Sequence, residues 1–147
     1  MHRRIFAAIC VLAAASASAS VAIAQAQTGG QPSLSARVSR LPAPLNVADY
    51  GNGERVFAQC RMCHQIDPSA GASLGPNLNG VVGRRSGVAA GFRYSPAMQG
   101  ANKIWDVATL DRYLQRPGDV VPGTTMAFAG LPRADDRRDV IAYLAVQ

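Results

Sequence analysis

The sequence predicts an all-α domain of three to four helices, whose long loops wrap around something other than protein. Three observations predict it. Apolar residues recur at helical spacing in three separated segments, and no β-branched runs alternate with them. The connections between these segments are Gly- and Pro-rich and too long for a domain of about 100 residues unless something else fills the core. Finally, Cys60-Arg61-Met62-Cys63-His64 is a C-x-x-C-H run, the spacing at which haem is attached covalently.

The chemistry accounts for that spacing. Each thiol adds across one haem vinyl group, and two intervening residues let a helical turn set both sulfurs at the porphyrin edge. The next residue, His64, then falls beneath the iron as proximal ligand. A zinc half-site is the competing use, but a closed zinc site needs four ligands. Beyond the first 26 residues the chain offers only Cys60, Cys63 and His64. A thioredoxin-like pair requires a β-α-β setting, which the sequence lacks. The expected cofactor is therefore one haem c, bound through Cys60 and Cys63, which supplies the volume that side chains do not.

The 147 residues suit one domain with an extension at its start. Met1-His2-Arg3-Arg4, an apolar run from Ile5 to Ala15 and alternating small residues to Ala26 describe a secretory leader over 1–26. Cleavage after Ala24 or after Ala26 fits equally. An uncleaved anchor is the alternative, since a bilayer span takes roughly 20 residues; Ser16, Ser18 and Ser20 dilute it. Cys10 lies within the leader. Covalent haem attachment is an extracytoplasmic process, so leader and motif both point to a periplasm.

The formal charge of +6 invites a nucleic-acid partner, and inspection removes it. Without Arg3 and Arg4, 13 basic residues face 9 acidic ones; from Asn46 onward the numbers are 11 and 9. No basic stripe interleaved with aromatics remains. Residues 27–45 are rich in Gly, Ser, Pro and Gln, a composition that predicts a flexible or polyproline-like tail.

The folded domain is expected over 46–147. Asn46 or Asp49 can cap a first helix running toward Cys60. Gly53 costs about 1 kcal/mol against Ala inside it, which suggests that another backbone crosses there. Residues 65–96 read as wrapping loops, and Pro96-Ala97-Met98-Gln99 as a short helix. Asp106 can cap a helix over 107–115 with Val107, Leu110, Tyr113 and Leu114 on one face; Arg116-Pro117 ends it. Residues 120–130 read as a constrained loop. A last helix starts between Pro132 and Asp135 and buries Val140, Ile141, Tyr143 and Leu144.

A second axial ligand follows by elimination. His2 belongs to the leader, which leaves His64 as the single histidine of the mature chain. Met62, Met98, Met126 and Lys103 remain. Met62 lies within the attachment turn and cannot reach the other face of the haem. Met126, held in Pro122-Gly123-Thr124-Thr125-Met126, is the best placed, with Met98 the runner-up.

Together these residues resemble the class I cytochromes c, the soluble mitochondrial and purple-bacterial type with one His/Met haem. The resemblance runs from about Asp49 to Leu144. It includes Gly53-Glu54-Arg55-Val56-Phe57, the C-x-x-C-H run, Gly75-Pro76-Asn77-Leu78-Asn79-Gly80, Gly83-Arg84, Gly91-Phe92-Arg93-Tyr94-Ser95, Trp105, Tyr113-Leu114, Pro117, residues 122–128 and Ile141-Ala142-Tyr143-Leu144. It implies the small class I cytochrome c fold. It also implies that Pro76 accepts the His64 ring N–H, that Arg84, Tyr94, Ser95 and Trp105 hold the haem propionates, and that Tyr113 and Thr124 sit beside Met126. Phe128 would cover the haem edge, and Gly53 and Phe57 would cross Tyr143. The chain departs from the family in carrying Met98 where many members have asparagine. It also has Gln59, Ser73, Gly118 and Thr125 at edge positions that are lysine in mitochondrial members.

The function expected is one-electron transport by Fe(II)/Fe(III) cycling rather than catalysis, since two axial ligands leave no position open for substrate. Transient partners would be membrane redox complexes or periplasmic dehydrogenases and oxidases, met by a monomer through apolar contact around Val121, Ala127 and Phe128. The alternatives are a haem subunit docked to a dehydrogenase or oxidase, and a peroxidase-like or ligand-sensing haem protein that releases Met126.

Overall fold

The computed structural model describes residues 31–147; the leader expected over 1–26, with His2 and Cys10, lies outside them. Six α-helices follow in order: α1 (Leu34–Val38), α2 (Tyr50–Phe57), α3 (Pro96–Gly100), α4 (Val107–Gln115), α5 (Pro117–Val120) and α6 (Ala134–Ala145). A 3₁₀ turn (Leu45–Val47) lies between α1 and α2. Among the described residues no strand forms, and a single antiparallel bridge joins Arg85 to Ile104. Three helices carry the frame, α2, α4 and α6, as the three helical-period segments suggest.

The starts of α2, α3 and α4 are capped by the residue types their exposed N–H groups require. Asp49 accepts from Asn52 N at 3.0 Å, Ser95 from Met98 N at 3.2 Å and Asp106 from Thr109 N at 2.7 Å. The Thr109 backbone N–H, and its hydroxyl beside it, hold the Asp106 carboxyl below the usual carboxylate range. Between Asp49 and Asn46, the structure selects Asp49.

Helices α2 and α6 cross at Gly53. A Cβ there would fall against the Asp139 carbonyl and lie 2.8 Å from Tyr143 Cβ. Beside the crossing, the Tyr143 ring packs on Tyr50 and Phe57 with centroids 5.2 and 5.3 Å apart. Asp139, 3% exposed, accepts from Asp49 N, Asn52 Nδ2 and the Arg138 guanidinium at 2.8–3.2 Å. A buried carboxylate is tolerable only when so fully bonded. Arg137 is likewise buried, bonding Asp111 on α4 and the Leu131 and Pro132 carbonyls. The sequence reading singled out neither. Their signal was spacing: Asp139 lies one turn before Tyr143, on the crossing face.

One helix is additional to the sequence reading and one expectation needs correction. Pro117, expected only to end α4, also starts α5; proline's fixed φ suits a first helical position. More consequentially, the segment expected as a flexible tail over 27–45 is ordered from Ser33 on. Ser33 caps α1, accepting from Ala36 N at 3.2 Å, and Val38 and Leu45 are each 2% exposed within the main core. Composition averages hide the cause: Leu34, Val38, Leu41 and Leu45 recur at three- and four-residue steps and bury one edge against α2, α6 and the 3₁₀ turn. Leu45→Ala should cost about 2–3 kcal/mol in denaturant unfolding. A midpoint unchanged from wild type would mean that the segment adds nothing to the fold.

Candidate functional site

The turn after α2 sets out the attachment motif. Cys60 N donates to Phe57 O, and Cys63 N and His64 N both donate to Cys60 O at 3.0 Å. The two thiols and the imidazole therefore leave one compact turn. Burial pushes the Cys60 thiol up to about 11, with the Cys63 charge adding to it. Such a sulfur is a neutral thiol at an apolar edge, unlike the thiolate that binds metals. Among the described residues no three His, Cys, Asp or Glu side chains cluster as a metal site.

His64 is aimed by its neighbours. Its Nδ1 lies 2.8 Å from the Pro76 carbonyl, which takes the proton on that nitrogen and leaves Nε2 as the free donor atom. Gly75 lies against the ring: a Cβ there would lie 2.6 Å from Nδ1. The Gly75-Pro76 pair thus works as a platform, one residue giving room and the next giving the acceptor.

Cys60, Cys63 and His64 open on a cavity of about 390 Å³. Phe57, Leu78, Val81, Phe92, Leu110 and Leu144 make its walls apolar. Natural interiors keep few voids larger than a water molecule, so an apolar hollow of this size in so small a domain implies an occupant. Flat apolar walls, two thiols at the edge and an imidazole with one nitrogen free fit a haem.

Every site residue expected from the sequence lines this cavity: Pro76, Arg84, Tyr94, Ser95, Trp105, Tyr113, Thr124, Met126 and Phe128, with the motif itself. Backbone pairing brings Arg84 and Trp105 together, Gly83 N donating to Trp105 O and Trp105 N to Arg84 O, both at 2.9 Å. The Arg84 guanidinium is pinned by the Asn77 and Asn79 carbonyls at 2.9 and 3.0 Å, a cation fixed in the cavity wall. Ser95 spends its oxygen on capping α3 and keeps its O–H to donate.

Around Met126 the contacts are polar. Tyr113 O–H donates to Met126 Sδ at 3.9 Å, and its oxygen lies 3.3 Å from Thr124 Oγ1. Burial raises the Tyr113 hydroxyl above its ordinary value, against the opposing Thr124 contact, so it remains a donor. Trp105 packs on Tyr113 at 4.7 Å. Of the competing ligands, Met62 is 79% exposed and, like Lys103, does not line the cavity. Met98 does line it. Val121, expected on the docking surface, is buried at 2% because the turn after α5 folds it inward. Leu74, in a polar loop and not singled out from sequence, is 79% exposed at the cavity rim.

Cytochrome c2 from Rhodomicrobium vannielii is 54% identical to this chain over 99 residues, 67% of this chain and 79% of that protein. The chain belongs to the class I cytochromes c. Cytochrome c2 from Rhodoblastus acidophilus is 46% identical over 97 residues, 66% of this chain and 91% of that protein. In structure, cytochrome cH from Methylobacterium extorquens matches with a TM-score of 0.64 at 38% identity, covering 68% of this chain and all of that one. No family model matches. As a cytochrome c the chain carries one covalent haem c, with Cys60 and Cys63 at the attachment spacing, and it is an electron carrier rather than an enzyme.

Proposed function

We propose that this cytochrome is a periplasmic carrier using His64 and Met126 as axial ligands, and that it exchanges single electrons with transient partners through an uncharged cavity rim. The Tyr113 hydrogen bond to the Met126 sulfur carries the ligand assignment. It holds the thioether in one orientation, whereas the more deeply buried Met98 has no comparable partner on the cavity wall. The haem iron supplies the Fe(II)/Fe(III) couple. The chain's residues tune it: a thioether and an apolar wall favour the reduced form and raise the potential, while Arg84, Tyr94, Ser95 and Trp105 receive the propionates.

Location rests on the leader pattern, which the described residues do not reach, and on the extracytoplasmic chemistry of thioether formation. No helix among the described residues is long and apolar enough to cross a membrane. Intact mass of periplasmic material should give a chain starting at Gln25 or Gln27; a membrane-bound product retaining Met1 would make it an anchored cytochrome.

The rim decides how partners are met. Gln59, Leu74, Thr125, Ala127 and Phe128 border the cavity without a charge. Steered association falls steeply with salt, and a neutral rim offers little to steer. Stopped-flow oxidation and reduction by membranes presenting their periplasmic side should therefore change only a few-fold between low and physiological salt. A drop of about a hundredfold, as strong steering permits, would contradict docking by apolar contact.

A further inference from the structure

A second concavity, of about 450 Å³, lies on the flank of α4 away from the haem cavity and is lined by Lys103, Thr109, Arg112, Gln115, Arg116 and Asp119. Leu110, Tyr113 and Leu114 face the haem cavity from the same helix, so one helix separates the two hollows.

The cleft gathers three cations and a single carboxylate in one place. From Asn46 onward the chain has 11 basic and 9 acidic residues. Setting aside the cleft's three cations and Asp119 leaves eight of each, so the whole positive excess of the domain is gathered here. Among the described residues neither Lys103 nor Arg112 has a carboxylate partner, and Arg116 meets Asp119 only at 3.8 Å with both side chains largely in water. Arg112 and Arg116 are one helical turn apart, where like charges repel. Arg112 Nη2 instead reaches the buried Thr109 hydroxyl at 3.4 Å, which draws its guanidinium toward the floor of the cleft. A solvated helix face needs none of this: it would spread its cations or pair them.

We propose that this cleft binds a soluble polyphosphate-type anion. Guanidinium forks match the paired oxygens of phosphate groups, and an ammonium acts beside them as a point charge. Thr109 and Gln115 add neutral donors. A volume of about 450 Å³ admits two or three linked phosphates, and three cations suit a multiply charged ion better than a chloride or a lone carboxylate. Because α4 lines both the cleft and the haem cavity, a bound polyanion stabilises the more positive, oxidised form and lowers the reduction potential.

The test is calorimetric titration of the oxidised holoprotein with pyrophosphate and with tripolyphosphate, at fixed ionic strength. The expected result is saturable one-to-one binding, weakened at least tenfold by Lys103→Gln and by Arg112→Gln and unchanged by Arg55→Gln on α2. The potential should fall on saturation in the wild type and not in the two cleft variants. All three substituted side chains point to solvent or half to solvent, so the haem spectrum serves as the check on folding. Non-saturating heats, or cleft variants that bind like the wild type, would overturn the proposal. So would cleft variants that slow reaction with a protein partner while pyrophosphate goes unbound, since the cleft would then serve an acidic protein surface.

Discussion

Met126→Ala should turn a closed electron carrier into an open haem protein. The substitution removes the thioether that Tyr113 holds at 3.9 Å and leaves a small methyl in its place. Imidazole or cyanide should then bind the oxidised protein rapidly, and peroxide should be consumed at rates the wild type does not reach. Axial ligands set haem potentials over a range of about 0.8 V, and loss of a ligand that favours the ferrous state should lower this one by roughly 0.1–0.3 V. Titration of external ligand with a parallel redox titration checks both. A variant that excludes imidazole and keeps its potential would show that another side chain ligates the iron.

The largest effect on stability is expected from Gly53→Ala. Two terms compete. In a free helix alanine is better than glycine by about 1 kcal/mol. At the α2–α6 crossing the added methyl meets the Asp139 carbonyl and Tyr143 Cβ, and neither is the loose end of a flexible side chain. Separating the helices would also loosen the Asp139 bonds to Asp49 and Asn52. The clash should win, with a loss of about 3 kcal/mol or more and a drop in melting temperature of roughly 10–20 °C for a domain of this size. Gly51→Ala, on the same helix but with nothing nearer than 3.4 Å, should instead be neutral or gain up to about 1 kcal/mol. If both substitutions stabilise, the helices do not cross at Gly53.

How far the sequence carried depended on whether a residue's role was written locally. The attachment turn, the Asp106 cap and the Val107–Gln115 face are each decided within one or two turns of chain and could be read, and the first helix's cap was narrowed to Asn46 or Asp49. The cavity lining was legible because a C-x-x-C-H run implies an occupant and the family resemblance orders what surrounds it. Roles that depend on a distant partner were not legible. Asp139 and Arg137 look like surface charges until α2, α4 and the loop before α6 close over them. Val38 and Leu45 sit in a segment whose Ser, Pro and Gly content outweighs four spaced leucines and valines. Val121 was misplaced and Leu74 missed for the same reason: which loop residue turns inward is set by packing, and hydrophobicity alone does not tell an inward valine from an outward leucine.

The far-red absorption of the oxidised protein tests the central assignment most directly, because the weak sulfur-to-iron band appears only when a thioether binds ferric haem. Wild type and Met98→Ala should both show it, and Met126→Ala should not. A band that survives Met126→Ala and disappears in Met98→Ala would place the ligand on α3 instead and contradict the account of the site.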